Sequence, residues 1–118
     1  MNREWVRRYC MSLPHVTEQV QRQIDLVFKI GGKMFAILVL EPHPTCVAFK
    51  CSPEDFEELI ERPGIIPAPY TARAKWIALE SFDAMPRKEL QPRLKRAYEL
   101  IFAKLPKTTQ RGLMTGRS

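Results

Sequence analysis

Five carboxylates crowd one short stretch of the chain: Glu54, Asp55, Glu57, Glu58 and Glu61. Paired carboxylates can do general acid–base chemistry. Here neither a nucleophile nor a metal ligand accompanies them, and acids are favoured at a helix start and on an exposed helical face. Cys46, Cys51 and the nearby His43 raise the question of metal. A lone His–Cys pair offers too few ligands for zinc. The odd spacing of the two thiols in a strand-like run sets them on opposite faces, where they neither bond nor share a metal. Cys10 makes the count odd, which favours reduced thiols. His15 and His43 each sit beside a proline, in connections, and Ser12, Ser52, Ser81 and Ser118 lack a nucleophile's surroundings. No G-x-x-x-x-G-K-S/T phosphate loop, dinucleotide fingerprint or C-x-x-C pair occurs. The expectation is therefore a protein with no catalytic residues, no metal and no cofactor.

Positive charge is the stronger signal. Nineteen Lys and Arg against thirteen Asp and Glu leave +6 and an isoelectric point near 9.5. Residues 87–118 hold nine of the bases (Arg87, Lys88, Arg93, Lys95, Arg96, Lys104, Lys107, Arg111, Arg117) and two acids, a surplus of +7. The first 86 residues consequently carry −1. Such asymmetry suits a polyanion, nucleic acid first; its plain alternative is a basic helix and tail that keep the protein soluble.

The elements that must carry these residues fit one domain of 118 residues, long enough to bury a core without metal or disulfides. The longest apolar run, Met34 to Leu40, is far short of a membrane span, and the start shows no basic-then-apolar leader. The expectation is a cytoplasmic protein with no membrane contact. Trp5, Tyr9 and Leu13 recur at helical spacing over 2–13, with Asn2 as cap and Pro14 as stop. Residues 15–23 read as a connection. Ile24, Leu26, Phe28 and Ile30 alternate as a half-buried strand, and Gly31-Gly32 turns the chain. The return strand, 33–41, sets Phe35, Ile37 and Val39 on one face and Met34, Ala36, Leu38 and Leu40 on the other. Cys46 to Cys51 completes an antiparallel meander. Ser52-Pro53 opens a helix that Arg62-Pro63-Gly64 ends. A proline-rich loop over 63–72 follows, and residues 74–82 read as a strand; a further short strand has room either between 65 and 71 or at the end of 74–82. After a helical turn from Met85, Pro92 interrupts, and Arg93 to Leu105 forms the longest helix. The domain then spans 1–106, with a basic, flexible tail over 107–118.

An ordered set of segments resembles the MmcQ/YjbR family. It comprises Gly31-Gly32-Lys33-Met34-Phe35-Ala36, Val47-Ala48-Phe49-Lys50, the proline-rich loop ending in Tyr70, Lys75-Trp76-Ile77 and Tyr98, with Trp5 and Leu13-Pro14 at the start. The resemblance spans about residues 5–107. It departs at Ala97, where the family often has a serine. It implies an α+β fold, a two-layer α/β sandwich with an antiparallel sheet in the order α-β-β-β-α-β-β-α, similar to type III secretion chaperones. It also implies DNA binding, through a double-wing surface of β-hairpins. Carried over residue by residue, it points to Lys33, Lys50, Lys75 and Trp76, to which Arg73 adds a neighbouring cation.

A nucleic-acid surface needs cations at phosphate spacing and an aromatic to stack or wedge. The full candidate set is Lys33, Lys50, Arg73, Lys75 and Trp76, with Arg93, Lys95 and Arg96 on the last helix. For Trp76 the competing expectation is a core position, and for the lysines a role as strand-edge gatekeepers. The functional expectation is a non-enzymatic domain binding DNA or RNA. The alternative is a protein-interaction or chaperone-like module, or a homodimer, using an apolar sheet face.

Overall fold

The computed structural model describes residues 2–115. Helix α1 (Arg3–Ser12) begins where the Asn2 side chain accepts from the Trp5 N–H at 2.9 Å. Its buried residues are Val6 and Cys10. Strand β1 (Thr17–Gln21) comes next, where the sequence suggested a connection. Its composition hides it: four of five residues are polar, and it is an edge strand whose order comes from its pairing with β2 (Asp25–Ile30). The intervening turn uses Arg22 at φ 53° and Gln23 at φ 68°, left-handed positions usually marked by glycine or asparagine.

Gly31 and Gly32, at φ 60° and 82°, turn β2 into β3 (Lys33–Val39) as expected. The two faces expected of β3 need correction. The register pairs Phe28 with Ala36 and Lys29 with Met34, which leaves Phe35 as an extra residue. This β-bulge sends Phe35 and Ala36 together into the helix-side core. Ala36 and Leu38 then face the helices, while Met34 and Ile37 pack with the cluster on the outer face.

Strand β4 (Val47–Lys50) leads to α2 (Pro53–Leu59), capped by Ser52 accepting from the Asp55 N–H at 3.1 Å. Cys46 and Cys51 share one core rather than opposite faces, because Cys46 precedes the regular strand and escapes its alternation. All three cysteines are free thiols. The short strand suspected in the proline-rich loop is β5 (Ile65–Pro67); β6 (Trp76–Leu79) follows. All six strands pair antiparallel in the order β1-β2-β3-β4-β6-β5.

Helix α3 runs unbroken from Arg87 to Ala103, through Pro92. Pro92 is exposed, so the Lys88 carbonyl it leaves without a partner can be hydrated. Leu90 and Leu94, both fully buried, hold the helix down on either side. Two such burials, at about 2 kcal/mol each, offset the roughly 3 kcal/mol an interior proline costs. The expected tail becomes α4 (Lys107–Met114), whose Leu113 packs on the core. Residues 116–118 of that expected tail lie outside the described residues.

The helices cover one face of the sheet, and the fold is α+β in two layers. Phe28, Phe35, Phe49, Leu59 and Leu94 fill the space between. Among the described residues no helix is long and apolar enough to cross a membrane.

Candidate nucleic-acid interface

The end of the sheet marked by the Gly31-Gly32 turn gathers cations. Leu105, just past α3, closes against this turn: a Cβ added at Gly31 would lie 2.6 Å from Leu105 Cδ1. The contact brings the end of α3, with Lys104, to the start of β3, where Lys33 is exposed. On β4, Lys50 is only 7% exposed, the one charged residue buried in the described chain. Its amine donates to the Ala74 carbonyl. Burial pushes the Lys50 amine below its ordinary pKa, and the neighbouring charges of Lys104 and Lys75 push it further. Lys75 takes the left-handed conformation (φ 63°) after the 3-10 turn Ala72–Ala74, with its ammonium 4.9 Å from the centre of the Phe56 ring. Arg73 is exposed on that turn.

The pairing of charges separates lysine from arginine. Every ion pair among the described residues uses an arginine, namely Arg7, Arg8, Arg62 or Arg93, and none uses a lysine. Lys50, Lys75 and Lys104 thus share one end of the molecule with no carboxylate within 4.0 Å.

Not all sequence candidates are available to a ligand in this way. Arg93 is 19% exposed and committed to Asp55 (3.2 Å), Glu89 (3.3 Å) and Glu58 (3.7 Å), an arrangement that ties α3 to α2. Lys95 and Arg96 on α3 are exposed. Trp76 is 3% exposed and packs with Ala68 and Ala78 on the outer face, so its ring is enclosed by protein.

The exposed aromatic is Tyr70, at 92% the most exposed large apolar residue described. It follows β5 at one edge of the sheet, while Arg22 follows β1 at the other, yet the Arg22 guanidinium lies 5.6 Å from the centre of the Tyr70 ring. The twist of a six-stranded sheet curls opposite corners toward one face, and the two loops meet there. Beneath them lies a groove of about 570 Å³, floored by Val27, Met34, Ile37, Ala48, Ile66 and Ala78. Asp25, His43, Thr45 and Thr71 add polar groups to its wall.

The YjbR family model matches residues 11–100. The chain belongs to the YjbR family. Its fold is similar to the crystal structure of a Deinococcus radiodurans protein carrying the domain DUF419. The two share 27% identity and a TM-score of 0.84, over 98% of this chain and 88% of that one. A protein from Pseudomonas syringae, at 21% identity, matches with a TM-score of 0.70 over 85% of this chain and 98% of its own. No curated protein matches the sequence.

Lys104, Tyr70 and Arg22 were absent from the sequence's candidate set. Lys104 was visible only as one cation among nine in 87–118. Tyr70 was legible only as the aromatic that ends the proline-rich loop. Nothing local in the sequence distinguishes Arg22 from the other arginines.

Proposed function

We propose that this YjbR-family protein is a non-enzymatic nucleic-acid-binding domain, with DNA as the first ligand to test. The observation that carries the reading is the convergence of Lys50, Lys75 and Lys104 without a carboxylate partner. Three like charges held together repel one another, and Lys50 is partly desolvated besides. A phosphate bound at the exposed Lys104 and the half-buried Lys75 relieves that repulsion without touching Lys50 itself, and the released counterions add a favourable, salt-dependent term. Lys33 and Arg73 extend the positive surface, and Lys95 and Arg96 offer further cations along α3. A cytoplasmic location belongs to the same reading, since all three thiols are free.

The test is fluorescence anisotropy with labelled duplex DNA across a salt series. Each phosphate contact contributes about −0.9 to the slope of log affinity against log salt. The double variant Lys75→Asn, Lys104→Gln is expected to lower that slope by roughly 1 to 2 with the fold intact. Asparagine suits the left-handed position of Lys75. An unchanged affinity and slope overturn the proposal.

One observation favours the protein-partner alternative: Met34, Ile37 and Ile66 are only half-buried on the outer face. A dimer seen by light scattering at high concentration, lost on Ile37→Lys, selects that reading instead.

A further inference from the structure

The groove on the outer face has features the lysine cluster leaves unused. We propose that it receives one unstacked nucleobase of a single strand, with Tyr70 and Arg22 as the stacking platform and Asp25 as a reader of the base edge. This inference rests on the nucleic-acid reading above and names the form of nucleic acid.

The platform is the first argument. Tyr70 presents nearly its whole ring to solvent, where a large apolar side chain gains nothing from folding. It does so from a left-handed backbone (φ 69°), a conformation that costs a non-glycine residue on the order of 1 kcal/mol. Arg22 and Gln23 across the groove are left-handed as well. Two loops from opposite edges thus bring a guanidinium to 5.6 Å from the centre of a phenol ring that stays open to solvent. An aromatic ring and a guanidinium plane are the surfaces on which single-stranded bases stack.

The groove is the second argument. Its volume of about 570 Å³ lies in the range of small-molecule sites, and its floor is apolar with few polar groups on the wall. The floor suits a base face. The wall suits a base edge: the Asp25 carboxylate accepts from an exocyclic amine such as the cytosine N4 group, and the Thr45 and Thr71 hydroxyls donate or accept. The same carboxylate repels a phosphate, so the backbone stays outside. There the loop that carries Tyr70 also carries Arg73 and Lys75, which offers cations to the flanking phosphates.

A duplex keeps its bases stacked and offers none to such a groove, so the strand form decides the test. Wild type, Tyr70→Ala and Arg22→Gln are each titrated with a single-stranded oligonucleotide and a duplex of equal length at one salt concentration. Tyr70 touches little besides Arg22, so its removal spares the fold. Stacking on one aromatic predicts a loss of roughly 5- to 100-fold for the single strand with Tyr70→Ala, a smaller loss with Arg22→Gln, and little change for the duplex. A 2-aminopurine in the single strand should change its fluorescence on binding to wild type and not to Tyr70→Ala. If the lysine variant lowers the salt slope while Tyr70→Ala leaves single-strand affinity unchanged, the groove inference falls and the binding function stands. Binding of neither strand form by wild type overturns both.

Discussion

The contact between the Gly31-Gly32 turn and Leu105 allows a sharp test, because the two glycines share one strain and differ in their surroundings. Both have positive φ, 60° and 82°. Alanine at either position therefore costs about 1–2 kcal/mol for the left-handed conformation. At Gly32 nothing lies within 4 Å of the added Cβ, so that is the whole effect. At Gly31 the Cβ would sit 2.6 Å from Leu105 Cδ1 and 3.0 Å from Cδ2. Leu105 is 5% exposed and packed in the main core, so its displacement adds an overpacking cost of about 1–3 kcal/mol. Gly31→Ala should thus lose about 2–5 kcal/mol, against about 1–2 for Gly32→Ala. For a chain this size 1 kcal/mol is worth about 4 °C in Tm. The melting temperatures should fall by roughly 8–20 °C and 4–8 °C, measured by circular dichroism with urea midpoints as a check. In the double variant Gly31→Ala, Leu105→Ala, the clash is absent and the two losses should sum to less than their separate values. Equal shifts for the two glycine variants, or strict additivity in the double variant, refute the argument that α3 is anchored on this turn.

Arg93→Gln should destabilise by about 1–2 kcal/mol in urea, since three carboxylates lose a shared cation. DNA affinity should stay within about twofold, and a loss matching that of Lys95→Gln with Arg96→Gln would show that Arg93 contacts the ligand after all. In the same network the hydrogen bond from Arg62, with further help from Arg93, holds Glu89 below the ordinary carboxylate range. The folded state binds that proton less readily than the unfolded one. The resulting stability is present above the ordinary range and lost as pH falls through the lower folded value. The network variant should therefore show a flatter acid limb in a pH–Tm series. Burial pushes the thiol of Cys10 up to about 12 and those of Cys46 and Cys51 to about 11. At pH 8 none of the three should react appreciably with Ellman's reagent until urea unfolds the protein, and a native thiol reacting at the free-cysteine rate counts against this packing.

Local chemistry was written plainly in the sequence. Asn2, Ser52-Pro53 and Gly31-Gly32 act on backbone groups within a few residues, so they mark helix starts and a hairpin wherever they occur. The alternation of β2, the apolar faces that build the core and the positive final third are equally local. The ordered motifs also pointed to the family and its α+β fold. What escaped depends on partners distant in the chain. Strand β1 is ordered by β2, and the continuity of α3 through Pro92 by the core beneath Leu90 and Leu94. The bulge at Phe35 puts Met34 with Ile37 and Phe35 with Ala36 and Leu38, the opposite of what simple alternation assigns to Met34 and Phe35. The candidate site divides the same way. Sequence alone supplied lysines, arginines and an aromatic of the right types. Only tertiary structure committed Arg93 to carboxylates, enclosed Trp76, gathered Lys50, Lys75 and Lys104, and laid Arg22 against Tyr70 from opposite edges of the sheet. Residue type determines which charges and rings a chain can offer; sheet twist and competition among side chains for partners decide which remain free to bind.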